Sequence, residues 1–262
     1  MKYIKEQLDI QFDALHNKER DAVNLVIGEE GDGKSHFSLH VLEYWLMLKY
    51  EKITNNDIRF MNLDIEKWAE SFSEAQKGDM CILDEAGELS GRRAMSKLNV
   101  AISRAYQIIR ADCLNSLLIL PDLFWLEGTF TKRRAKGLFY VYARGKVAYW
   151  NRDQLRKIME INSRRTVKSI WVVRPLFYDR FPIYKGILKS QYDDKKKEFM
   201  KDTRKELLAT IREIKGDAKI SDRDLIIKKL YDNVGATEAS KLIGMSRQNI
   251  HLIINKVSSV KE

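Results

Sequence analysis

The chain has 262 residues, 44% hydrophobic and 32% charged, with a formal net charge of +10. That is the composition of a globular protein with a full core in one or two domains, and its basic balance favours polyanionic partners, nucleic acid above all. Two cysteines without a CxxC or Cys/His cluster support neither a zinc site nor a disulfide framework.

The first element in chain order is the apolar run Ala22–Ile27, read as a strand. The loop Gly28-Glu29-Glu30-Gly31-Asp32-Gly33-Lys34-Ser35 follows it, and then a helical pattern runs from Phe37 to Lys49. Strand, GxxxxGK[ST] loop and helix together make a phosphate-binding loop. The glycines let backbone N–H groups face an anion, and the helix start adds partial positive charge. Residues 28–36, His36 included, are the expected nucleotide contacts. Lys34 reaches the β- and γ-phosphates, and the Ser35 hydroxyl is an expected Mg²⁺ ligand.

A short strand at Ile58–Leu63, a helix at Ile65–Gln76 and a strand at Met80–Leu83 come next. The third of these ends in Asp84-Glu85. Ligands bind at the carboxyl edge of a parallel sheet, so Asp84 is an expected Mg²⁺ ligand and Glu85 the base that polarises the attacking water. The pattern predicts a helix over Arg93–Arg110 and a strand over Leu117–Leu120. Arg104 is the candidate for stabilising charge on the γ-phosphate, with Arg110, Arg133 and Arg134 as rivals. Asp122 is the one polar side chain where a motor would place a sensor. The stretch from Leu114 to Leu126 is too short to span a bilayer, so a cytoplasmic protein without membrane insertion is expected.

The βαβ rhythm then gives way to a β-hairpin, Leu138–Ala143 and Lys146–Trp150, with Gly145 in its turn. Asn151 caps a helix over Gln154–Ile161, Ser169–Val173 reads as a strand, and Pro175 and Pro182 mark irregular chain. Gln191–Lys215 is highly charged with a narrow apolar stripe, and reads as a connecting helix.

From Ser221 the pattern is three helices: one ending near Asn233, one over Thr237–Ile243 and one over Ser246–Val257, with stops at Gly235 and Gly244. Small residues at Ala239/Ser240 and glycine at the turn suit a helix-turn-helix. Ser246 caps its last helix. Arg247, Gln248, Asn249 and His251 are then the expected contacts to base edges or phosphates, and Lys241 and Lys256 back them on the DNA strand. The same fold also serves as a protein-contact module.

The loop 28–35, Cys81-Ile-Leu-Asp84-Glu85-Ala-Gly, the arginine-bearing helix around Arg104 and the hairpin near Tyr140–Trp150 together resemble the FtsK–HerA branch of P-loop ATPases. The likeness is closest to Zot-like and DNA-packaging ATPases of viruses and plasmids. That resemblance covers residues 20–150. It implies a RecA-like ATPase core, which with the residue pattern gives an α/β fold with a mainly parallel sheet and an added hairpin, followed by the small all-α helix-turn-helix domain read above. It also implies ATP and Mg²⁺ as cofactors, duplex DNA as partner, and a homo-oligomer, commonly a hexamer. The family's glutamine on the sensor strand is replaced here by Pro121-Asp122. The expected domains are 1–188, a connecting helix 189–218, and 219–262. The expected function is an ATP-driven DNA translocase. A nucleotide-switched DNA-binding regulator or partition factor is the alternative, and a Zot-type assembly or secretion ATPase is a third reading.

Overall fold

A computed structural model describes residues 1–84, 104–105, 107–126, 128–216 and 222–258. Contacts divide the chain into two compact units, Met1–Phe199 and Met200–Glu262.

In the first unit, an α-helix Lys2–Lys18 (α1) leads into strand β1, Ala22–Gly28, followed by α2, Lys34–Lys49. A 3-10 turn, Asn55–Phe60, precedes the short β2, Met61–Asn62; α3 spans Ile65–Glu74 and β3 Met80–Leu83. Residues 104–105 and 107–111 are helical (α4). Then come β4 (Asn115–Leu120), the short α5 (Gly128–Arg133), β5 (Gly137–Ala143), β6 (Lys146–Asn151), α6 (Arg152–Asn162), β7 (Phe177–Arg180) and the long α7 (Lys189–Gly216).

Among the described residues, seven strands form one sheet in the order β2-β3-β4-β1-β5-β6-β7. The first five are parallel to one another, and β6 and β7 add antiparallel. The fold is therefore α/β with a mostly parallel mixed sheet. Every residue of β1, β3 and β4 is buried, which is why their apolar stretches, Leu25–Ile27, Met80–Leu83 and Leu117–Leu120, run without alternation.

One polar residue interrupts β1. Asn24 is fully buried and exchanges two amide hydrogen bonds with Gln11 of α1, at 2.6 and 3.1 Å. The pair satisfies both amides and fixes α1 against one face of the sheet. Phe37 of α2 packs on Phe139 of the same face, with ring centroids 5.1 Å apart; the register places Val26 opposite Phe139 and Phe139 opposite Tyr149.

Several elements differ from the sequence reading. The N-terminal helix α1 was not expected, although Ile4, Leu8, Gln11 and Leu15 form its buried stripe. Ile58–Leu63 is mostly 3-10 turn, with only Met61–Asn62 paired to β3. Ser169–Val173 is no strand: the Ser169 hydroxyl caps a 3-10 turn at Ile170–Val172, leaving Trp171 against Trp150. Within the stretch expected to be irregular, Phe177–Arg180 pairs with β6 as an edge strand.

In the second unit, α8 runs from Asp222 to Ile243 and is broken at Gly235, where φ is 77° and ψ 169°. Gly244 turns the chain with φ 72°, and α9 follows from Arg247 to Ser258. Ile227, Ala239 and Ile250 form the small core.

Candidate functional site

The glycine-rich loop sits at the carboxyl end of β1, the strand flanked by β4 and β5. Its backbone geometry demands glycine. Gly31 and Gly33 have φ of 84° and 95°, values open to glycine and costly for side chains. Gly28 has a different reason: a Cβ there would lie 2.4 Å from the Val141 carbonyl oxygen of β5. The main chains of β1 and β5 approach so closely that only a hydrogen fits.

The helix α2 begins at Lys34, and its first intrahelical bond runs from the Phe37 N–H to the Gly33 carbonyl. A helix leaves its first N–H groups without intrahelical partners. Gly33 has no side chain to cap them. The Lys34 ammonium curls back over the loop and donates to the carbonyls of Gly28 and Glu29 at 2.7 and 2.8 Å. A helix start with N–H groups that lack intrahelical partners, beside an ammonium, is the chemistry that favours an anion. Glu29 and Glu30, in the same loop, are exposed.

Asp84 follows β3 directly and is 1% exposed. Because β4 lies between β1 and β3, this carboxylate stands two strand spacings, about 10 Å, from the β1 line. Its main-chain N–H donates to the Asn62 carbonyl at 2.7 Å, which holds the strand end in place. The Tyr192 hydroxyl of α7 donates to Asp84 Oδ2 at 2.6 Å. Tyr192 is buried as well. Sequence reasoning missed this residue, treating it as part of an apolar stripe, because a tyrosine in a helix carries no signal for a partner 108 positions away.

Two further groups flank the loop. His36, on the first turn of α2, has its pKa lowered by burial and by the nearby Lys189 ammonium, so the neutral ring is favoured. Its Nδ1 is buried without a hydrogen-bond partner. Arg144, at the tip of the β5–β6 hairpin, brings Nη2 to 3.5 Å from the Gly31 carbonyl and also contributes to the shift at His36. Arg144 was not among the arginines singled out from sequence, since only the hairpin pairing carries it to the loop.

The remaining expected residues are distributed as follows. Glu85 lies outside the described residues, as do residues 93–103 of the expected helix. Arg104 is exposed on α4. Asp122 points outward, and its carboxylate accepts from the Phe124 N–H at 3.0 Å. It caps the 3-10 turn Leu123–Trp125, which accounts for its position without a sensor role. In the second unit, the Ser246 hydroxyl accepts from the Asn249 N–H at 3.3 Å, the expected cap. Arg247, Gln248, Asn249 and His251 are all exposed on α9.

Among the described residues, no group of three or more His, Cys, Asp and Glu side chains is arranged to hold a metal ion. A serine hydroxyl and a carboxylate are donor types that Mg²⁺ accepts, since it keeps most of its waters and takes one or two protein ligands beside phosphate oxygens. No helix among the described residues is long and apolar enough to cross a membrane. No protein-family model matches the chain, and no curated protein matches it in sequence.

The Tyr192–Asp84 bond can be tested directly. A typical intramolecular hydrogen bond contributes about 0.5–1.5 kcal/mol. Tyr192→Phe removes only the hydroxyl, so urea unfolding should show a loss of that size. In an Asp84→Asn background the same substitution should cost at least about 0.5 kcal/mol less, because the two residues are coupled.

Proposed function

We propose that this chain is an ATP-hydrolysing, Mg²⁺-dependent motor that translocates or packages duplex DNA, built on a RecA-like P-loop core and working as a homo-oligomer. The observation that carries the reading is the pairing of a strand-loop-helix anion site with a buried carboxylate on the same sheet edge, one strand intervening. The strand order is compatible with a RecA-like sheet.

In this reading the N–H groups of the loop and of the α2 start orient the β- and γ-phosphates. Lys34 exchanges its carbonyl acceptors for phosphate oxygens. Ser35 and Asp84 hold the metal, which when bound neutralises charge on the phosphate oxygens. Glu85, next after Asp84, takes the proton of the attacking water. Arg104, being exposed, is available to a neighbouring subunit's nucleotide.

The second unit is proposed to read duplex DNA through α9. Replacing Arg247 and Gln248 by alanine should weaken binding to a duplex. If Arg247 contacts phosphate, the slope of log affinity against log salt should fall by about one. Equal duplex affinity and an unchanged slope would assign α9 to protein contacts instead.

One observation favours the nucleotide-switched regulator as a second reading. The Tyr192–Asp84 bond ties the site to α7. The state of Asp84 can thereby bias α7. Turnover measured with and without duplex DNA separates the two: stimulation supports the motor, and negligible turnover with nucleotide-dependent DNA affinity supports the switch.

A further inference from the structure

The antiparallel end of the sheet carries a surface that begins beside the glycine loop, at Arg144, and runs away from it along β5–β7. Side chains alternate across a sheet, and the register puts Tyr140, Ala148 and Tyr178 side by side on one face. Tyr142 and Trp171 complete the cluster. Ring centroids are 5.5 Å apart for Tyr140–Trp171, 6.2 Å for Tyr142–Trp171 and 6.1 Å for Tyr142–Tyr178. Tyr140 and Tyr142 are half-buried against the core, while the other two rings face outward. Trp171 is 48% exposed and Tyr178 49%, while Trp150 beneath Trp171 is fully buried.

Cations continue the same face. Lys146 lies directly opposite Arg180 in the β6–β7 ladder, and both are exposed. Like charges directly opposite one another in a sheet are destabilising. Neither side chain, nor that of Arg144, is in an ion pair among the described residues. The three line an open groove of about 550 Å³ with Gly145, Phe181 and Pro182, and no carboxylate lines it. The Asp179 carboxylate, next in β7, accepts from the Arg180 main-chain N–H at 2.7 Å but is ion-paired with the Met1 ammonium, and at the other edge Glu29 and Asp32 raise the pKa of Tyr140 further, after burial.

Two exposed rings met edge-on by the half-buried Tyr142, beside cations without ion-pair partners among the described residues, fit a polymer that is flat and apolar in its bases and anionic in its backbone. We infer that the β5–β7 face binds single-stranded nucleic acid, with bases stacking on Tyr142, Trp171 and Tyr178 and phosphates against Lys146, Arg180 and Arg144. A stacked duplex hides its base faces, so the rings select the unpaired strand. A second copy of the chain is a poorer occupant, since it would bring the same cations to the same face.

The test uses the full chain without nucleotide, so its failure leaves the hydrolysis reading standing. Anisotropy of a labelled oligothymidylate of about 16 nucleotides is measured against a duplex of similar length. Tyr178→Ala should weaken oligothymidylate binding about 5- to 150-fold, with Tyr178→Phe retaining it and duplex affinity unchanged. Lys146→Ala with Arg180→Ala should lower the salt slope on the single strand by about 1.4. Both sets lie on exposed positions, and melting curves confirm folding; if Tyr178→Ala fails to fold, the lysine–arginine variant decides alone. Wild-type affinity in the variants overturns the inference. So does a loss of self-association in sedimentation with single-strand affinity intact, which would make the face an interface between copies.

Discussion

Lys34→Ala should lower ATP turnover by at least about 100-fold, the loss seen when one preorganised donor to a developing negative charge is removed. The ammonium is the only long cationic side chain within the loop itself. It reaches back over the loop to the carbonyls of Gly28 and Glu29, so it already stands where a phosphate chain would lie. Alanine is an excellent helix former at the first position of α2, so the variant should fold with a melting temperature close to the parent's. Steady-state turnover with Mg²⁺-ATP and a thermal melt, measured together, check both halves. A large fall in melting temperature would mean that Lys34 holds the loop, and the loss of turnover could not then be charged to phosphate binding.

Gly28→Ala should act on both stability and binding. Its methyl group would sit 2.4 Å from the Val141 carbonyl oxygen, and the obstacle is main chain, which cannot rotate away. Forcing extra volume into a packed site costs about 1–3 kcal/mol, and relief requires β1 and β5 to part at the end that carries the loop. Nucleotide affinity should therefore fall together with stability. Gly31→Ala makes the contrast. No atom lies within 4 Å of the added methyl, but φ is +84°, so the cost is local strain of about 1–2 kcal/mol without displacement of β5. Denaturant midpoints for the two variants, with and without nucleotide, separate them: both fall in the apo protein, and Gly28→Ala alone should lose most of the nucleotide-induced increase.

The parts legible in the sequence are those with local causes. The loop needs glycine at positions the main chain itself dictates, and the buried strands β1, β3 and β4 announce themselves by their apolar stretches. The hairpin carries Gly145 at φ 75° in its turn, and Asn151 caps α6 with a reciprocal bond to Gln154. What escaped has long-range causes. Gln11 breaks the apolar stripe of α1 because its partner is Asn24. Ser169–Val173 has strand-forming residues, yet its backbone turns to place Trp171 on Trp150. Of the candidate site, Lys34 and Asp84 were readable from their strands, whereas Tyr192 and Arg144 join it only through tertiary packing. Asp122 shows the converse: a carboxylate in a suggestive position that a local cap accounts for.

The most direct test of the motor reading is Mg²⁺-ATP turnover by the intact chain, with and without duplex DNA, alongside Glu85→Gln. The account predicts Mg²⁺-dependent hydrolysis that rises when duplex is added and disappears in the variant. Turnover no greater than that of Lys34→Ala, whether or not DNA is present, would contradict it.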